Sequence, residues 1–269
     1  MEKFNLPSQF LNRAVKIAVI GAGGTGSQLI TGLAQLHHAM IALGHPGGLS
    51  VRVIDDDIVS HANVGRQMFY PPDVGKPKAE ILVNRVNMAM GTQWKAEVQR
   101  LTADECLYGV DLVVGCVDSR SARKAIKECA EQSNIPLWLD MGNRQHDGQV
   151  ILGEVNRRGG NKRLPNIADL FPETCDPSQE SGGDGPSCSL AEALEKQSLF
   201  VNRGVVLYAL NMLFELFRYG SLSYHGVFVN LKTARTTPLA IDPVAWESRF
   251  GFVYGEDSAP SENQIANAA

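Results

Sequence analysis

The sequence predicts an α/β fold: a doubly wound, mostly parallel sheet with an antiparallel C-terminal extension. Two observations carry this reading. Through the first half of the chain, short β-branched runs alternate with helical periodicities, and the first such run leads straight into a glycine-rich turn and a helix. After residue 145 the alternation stops, and the strand patterns that follow have antiparallel character.

Taken in order, residues 15–20 (Val-Lys-Ile-Ala-Val-Ile) form the first strand, which ends in Gly21-Ala22-Gly23-Gly24-Thr25-Gly26. Leu29, Leu33 and Leu36 then recur at helical spacing. A Gly44-His45-Pro46-Gly47-Gly48 break precedes a second strand, 49–54, which runs into Asp55-Asp56-Asp57 and completes a βαβ unit. Residues 110–117 read as a buried parallel strand, 121–132 as a helix and 135–139 as a further strand. Residues 148–155 and 226–231 are the antiparallel candidates. Between them lies a polar segment, 157–189, rich in Pro, Gly, Asp and Ser. It exceeds the roughly 15 residues usual for a structureless connection and reads as a mobile loop. Residues 190–219 are helical and apolar on nearly all sides, as expected of a helix sandwiched between the sheet and a further layer such as a second subunit. The chain reads as one domain, 1–256, with halves 15–145 and 146–256, and a disordered tail, 257–269.

Composition narrows the function classes. The 269 residues are 44% hydrophobic and carry a net charge of −4 with no basic block, which argues against a nucleic-acid partner. The most apolar stretch, 205–217, is interrupted by Asn211 and Glu215 and is shorter than the roughly 20 residues a membrane helix needs. The amino terminus lacks a secretory pattern, and five cysteines, an odd count at scattered positions, point to reduced thiols in a cytoplasm.

Chemistry concentrates at the predicted strand ends. A glycine turn opening a helix lets backbone N–H groups approach a phosphate, although the same turn also serves as a tight connection with no ligand. Asp55, at the second strand end, is the candidate for a ribose hydroxyl, although it lies further from the glycines than the usual 20 or so residues. Beyond it, Asp57, Asn63, Arg66, Gln67 and Lys78 form a polar constellation with fixed positive charge, which suits a triphosphate better than a nicotinamide pocket. Asp118 follows the third strand and so emerges at the same edge of the sheet. It can hold Mg²⁺ beside phosphates or cap the helix that follows.

These residues resemble the nucleotide site of the ThiF/MoeB family of ubiquitin-activating-enzyme-like adenylating enzymes. The motifs are Gly21-Ala-Gly23-Gly24-Thr-Gly26, Asp55-x-Asp57, Asn63-x-x-Arg66-Gln67, Val74-Gly75-x-x-Lys78 and Cys116-Val117-Asp118. Gly32-Leu-Ala-Gln-Leu-His-His, Gly44-His-Pro-Gly-Gly and Asn63-Val-Gly-Arg-Gln are similar, more narrowly, to the ThiF-family proteins of the bacterial PRTRC gene cluster. The resemblance implies a Rossmann-like sheet that binds ATP and Mg²⁺. Asp55 would hold the ribose, Asn63, Arg66, Gln67 and Lys78 the phosphates, and Asp118 the metal. It further implies adenylation of the C-terminal glycine of a ubiquitin-like, β-grasp carrier by a cytoplasmic homodimer.

Two features depart from the family pattern. No Cys-x-x-Cys pair is present, so no structural zinc is expected. Only Lys3 and Arg13 precede the first strand, so the arginine that relatives bring from the partner subunit is unassigned. Cys188, beside the capping-box pattern Ser189-Leu-Ala-Glu192, is the thioester candidate, with Cys175 as its competitor. Cys116 reads as inert core, and Cys106 and Cys129 as helical. Three alternatives stay open: a non-catalytic partner subunit or scaffold, a small-molecule or tRNA-base adenylating enzyme, and an NAD-dependent oxidoreductase, the last disfavoured by the charges at Arg66 and Lys78.

Overall fold

The computed structural model describes residues 3–155, 160–180, 191, 194, 195 and 197–255. In chain order the elements are β1 (Phe4–Asn5), β2 (Val15–Ile20), α1 (Gly24–Ala42), β3 (Leu49–Ile54), α2 (Lys78–Met90), β4 (Lys95–Glu97), β5 (Leu112–Gly115), α3 (Arg120–Gln132), β6 (Leu137–Asn143) and β7 (Asp147–Glu154). Then come α4 (Ile167–Leu170), α5 (Val201–Tyr219), β8 (Ser221–Leu222), β9 (Tyr224–Asn230), β10 (Arg235–Ala240) and α6 (Pro243–Phe250). Eight strands form one sheet in the order β10-β9-β7-β6-β5-β2-β3-β4, while β1 pairs with β8 separately. The β4-β3-β2-β5-β6 run is parallel, and β7, β9 and β10 extend it antiparallel. This is the predicted doubly wound architecture.

The parallel strands are buried because helices cover them, which is why β2 and β5 read as near-continuous apolar runs. The chain leaves β2 toward β3 on one side and reaches β5 on the other. The carboxyl ends of β2 and β5 therefore flank a topological switch point, where open α/β sheets form their ligand crevice.

Three expectations are corrected. The helix assigned to 190–219 is interrupted: residues 191, 194 and 195 are helical, a bend and turn at 197–200 follow, and α5 begins at Val201. Its buried stripe, Val205, Ala209, Met212, Leu213 and Leu216, faces α1 and the sheet, whereas Leu207 on the far side is 65% exposed. Residues 160–180, read as part of a mobile loop, are packed. Leu164, Ile167 and Leu170 recur every three residues and are buried, the Arg163 guanidinium grips Asp169 at 2.6 Å, and Phe171 stacks edge-on against Phe228 and Phe250. Two short turns opened by Pro172 and Pro177 let a Pro-rich segment fold back in this way. Cys106 lies in a loop, not a helix. Residues 181–189 and the tail from 256 lie outside the described residues. No helix among the described residues is long and apolar enough to cross a membrane.

One buried histidine ties the C-terminal extension together. His225 on β9 is fully buried, and its Nε2 accepts the Trp246 indole N–H of α6 at 2.9 Å. The ring proton therefore sits on Nδ1 and is donated to the Leu152 carbonyl of β7 at 2.9 Å. Burial pulls His225 down from about 6.5 to about 4. A depressed histidine contributes stability that is fully present above the unfolded value, near 6.5, and is lost as pH falls toward 4. The expected loss across that window is about 3 kcal/mol. Urea unfolding between pH 7 and pH 4 measures it, and His225→Gln should remove about one proton from the slope. An unchanged slope in that variant contradicts the assignment.

Candidate active site

The glycine turn is shaped by close backbone approach. Gly21 leaves β2 with φ +94°, and a Cβ there would lie 2.8 Å from the Cys116 carbonyl oxygen at the end of β5. A Cβ on Gly26 would lie 1.9 Å from the Gly21 oxygen, so the first turn of α1 packs directly on the turn that feeds it. Gly23 is different: nothing lies within 4 Å of its Cβ position, and it borders the cleft. Gly21 and Gly26 thus make the turn possible, while Gly23 leaves room beside it.

That cleft, about 1040 Å³, opens along the carboxyl edge of β3, β2, β5 and β6. Gly21, Gly23, Gly24, Asp55, Asp57, Asn63, Arg66, Gln67, Lys78 and Asp118 all line it. Of the site residues read from the sequence, Gly26 supports the turn from behind, and Cys188 lies outside the described residues.

Asp55 is oriented by the backbone, because its Oδ2 accepts the Ala22 N–H at 2.6 Å and its Oδ1 accepts that of Asp57 at 2.9 Å. Burial raises its carboxyl above the ordinary value, opposed by the Ala22 hydrogen bond and the Lys78 charge. Each oxygen keeps a lone pair for a hydroxyl donor. The Lys78 ammonium, buried in the first turn of α2, donates to Asp57 Oδ2 at 2.7 Å and has two donors left. Asn63 Oδ1 accepts from the Ser60 backbone N–H and hydroxyl, so its Nδ2 amide is the end left over.

Arg66 and Gln67 carry the plainest signs of an absent partner. Arg66 Nε and Gln67 Oε1 are both buried without a hydrogen bond, a state that costs about 1–3 kcal/mol per group unless something fills it. Burial pulls the Arg66 guanidinium below its ordinary value, and the Asp118 carboxylate opposes that pull. Asp118 is exposed on the cleft and makes no hydrogen bond among the described residues. It is not the helix cap: Ser119 Oγ accepts the Ala122 N–H at 3.2 Å and caps α3. No cluster of three or more metal-ligating side chains occurs among the described residues. A divalent ion here would have one carboxylate and would need phosphate oxygens and water for the rest of its shell, which is how Mg²⁺ is usually held beside a nucleotide.

The other sequence candidates resolve as follows. Arg13 pairs with Asp111 at 2.6 Å near the amino end of β2, across the sheet from the cleft. The Cys116 thiol is pushed up by burial and by the Asp140 and Asp55 carboxylates. The Cys175 thiol is also raised, with burial as the leading cause.

Sequence reasoning missed Asn143, Arg144, Gln197 and Asn202, which also line the cleft. Asn143 and Arg144 follow a strand predicted to stop at Leu139. It runs to Asn143, so the rule that strand ends carry the site would have found them with the right boundary. Asn202 is a buried polar residue on the apolar face of α5, and that misfit was the available signal.

A model described as the ThiF family matches residues 2–241. Adenylyltransferase and sulfurtransferase UBA4 of Yarrowia lipolytica is 30% identical over 174 residues, covering 63% of this chain and 40% of that protein. SAMP-activating enzyme E1 of Haloferax volcanii is 31% identical over 127 residues, covering 45% of this chain and 43% of that protein. The chain thus spans about two fifths of the length of these curated relatives. The crystal structure of SeMet PaaA overlays with a TM-score of 0.57 at 14% identity, covering 84% of this chain and 64% of that one, a likeness of fold.

Proposed function

Because the chain belongs to the ThiF family, we propose that it uses ATP to adenylate the C-terminal glycine of a ubiquitin-like carrier protein. The observation that carries this reading is the convergence of Asp55, Lys78, Arg66 and Asp118 on one cleft around the glycine turn, with Arg66 Nε and Gln67 Oε1 buried and unsatisfied. Relatives named as a SAMP-activating enzyme and an adenylyltransferase support it.

In this reading Asp55 accepts a ribose hydroxyl, and the turn N–H groups, Asn63, Arg66, Gln67 and Lys78 hold the phosphates. Asp118 would hold Mg²⁺, which when bound would supply charge neutralisation at the phosphate oxygens. A carboxylate oxygen of the carrier glycine attacks the α-phosphorus. The new C–O–P bond forms as the bond from that phosphorus to the bridging oxygen breaks, and pyrophosphate leaves with the electron pair. The attacking carboxylate is already ionised, so no general base is needed, and the protein contributes position and fixed charge.

The narrower features follow the same reading. The PRTRC-like motifs support a member of that bacterial cluster, and the scattered, odd cysteine count supports a cytoplasmic protein. Residues 146–256 supply carrier contacts and a homodimer face, to which the exposed Leu207 and Phe200 of the α5 region are suited. A thioester on Cys188, outside the described residues, follows adenylation, its thiolate attacking the acyl carbon as the bond to AMP breaks and AMP leaves; burial raises the competing Cys175 thiol.

The test is ATP–pyrophosphate exchange with and without a β-grasp protein ending in glycine. Exchange should require the carrier, and a reductant-sensitive adduct should appear on a non-reducing gel and vanish in Cys188→Ala while exchange persists. Tight NAD binding with no response to ATP ends the reading.

A further inference from the structure

Arg66 lies in the connection between β3 and α2, outside any helix or strand, yet its charge has to meet a phosphate at a defined place. Its NH1 donates to Gln197 Oε1 at 3.2 Å. The same Gln197 oxygen accepts from Asn202 Nδ2 at 3.1 Å. Asn202, 2% exposed at the start of α5, uses its own oxygen to accept from the Thr25 hydroxyl at 3.0 Å and from the Asn143 amide.

The direction of this chain is fixed by chemistry. Arg66 can only donate, so Gln197 must present its oxygen to it. The other group on that oxygen must be the NH₂ of Asn202, whose Oδ1 is left to accept from Thr25 in the first turn of α1 and from Asn143 at the end of β6. With the amide turned over, Gln197 would show N–H groups to an arginine that has no acceptor. The first turn of α1, which carries the glycine turn, and the end of β6 are thereby registered to the Arg66 side chain.

Resting on the function proposed above, we infer that Asn202 and Gln197 are positioning residues that aim Arg66 at the phosphate chain of the bound nucleotide. Gln197 touches Arg66, Asn202 holds Gln197, and their effect is confined to ligands that carry the phosphates Arg66 addresses. Two observations support the inference independently. A Cβ on Gly24, in the first turn of α1, would lie 2.7 Å from Asn202 Nδ2, so this amide is set directly against the glycine turn. Arg66 Nε remains buried without a partner beside the engaged NH1, leaving donor capacity for an anion.

The test compares ATP·Mg and adenosine binding by calorimetry on the full chain. Gln197 is only partly buried, so Gln197→Ala should fold. It should weaken ATP binding about tenfold and leave adenosine affinity within about twofold. Asn202→Ala should show the same ATP-selective loss. The double variant Arg66→Ala/Gln197→Ala should bind ATP no more weakly than Arg66→Ala alone, because removing the aim adds nothing once the aimed group is gone. Equal losses for ATP and adenosine, or fully additive losses in the double variant, overturn the inference while the function stands. Failure of the wild-type protein to bind ATP overturns both.

Discussion

Asp118→Ala should lower carrier-dependent ATP–pyrophosphate exchange by about 10²–10³-fold, the range typical for removing one charge-stabilising group from a transition state. The side chain is exposed in the cleft and makes no hydrogen bond among the described residues, so its loss removes little from the folded state. Ser119 remains to cap α3 through Ala122, and the unfolding temperature should stay within roughly 2 °C. Asp118→Asn keeps the shape and removes the charge, so it should fail almost as completely. The paired readouts separate a metal-side role from a structural one: a folded variant with near-normal exchange means that Asp118 takes no part in the reaction. The charge also matters to its neighbour, since the Asp118 carboxylate counteracts the burial that lowers Arg66.

Gly26→Ala is expected to have the larger structural effect. The added Cβ would meet the Gly21 carbonyl oxygen at 1.9 Å and its carbon at 2.9 Å, and both are backbone atoms that cannot swing aside. Overpacking of this kind costs about 3 kcal/mol, or roughly 6–12 °C in unfolding temperature for a chain of this size. ATP binding should fall below detection, because the displaced turn no longer points its N–H groups at one place. Gly23→Ala is the matched control. Its Cβ has no neighbour within 4 Å, so the fold should be unaffected, whereas a methyl beside the cleft, where the proposed function puts a phosphate, should weaken ATP binding about tenfold. Equal stability of the two variants contradicts this division of labour between the glycines.

The parallel half of the fold was legible because its physics is local. Burial on both faces makes a strand read as a continuous β-branched run, as in 15–20 and 49–54, and both of these strands have the predicted bounds. Part of the cleft was legible for the same reason: Asp55 and Asp118 directly follow the ends of β3 and β5, so topology carries them to one edge, whereas Arg66 and Lys78 lie well beyond β3 and were legible only from their charge and motif spacing. Shorter or more exposed elements were not legible. β10 is solvent-facing along most of its length and has no apolar alternation to read, and β4 is only three residues long.

By itself, then, the sequence determined the strand–turn–helix order, the glycine turn and the polar set at its mouth, since these depend on backbone sterics and on periodicities of two and 3.6 residues. Only the tertiary structure decided which polar groups share a hydrogen-bond network. Thr25, Arg66, Asn143 and the Gln197–Asn202 pair come from four separate places in the chain. Their contacts are set by how α5 packs across α1 and the sheet. The same packing turned residues 160–180 from a polar connection into a docked segment, because Leu164, Ile167 and Leu170 show their purpose only once β7 is there to receive them. Side-chain contacts between distant segments depend on the relative placement of whole elements, and no local pattern of residues encodes that placement.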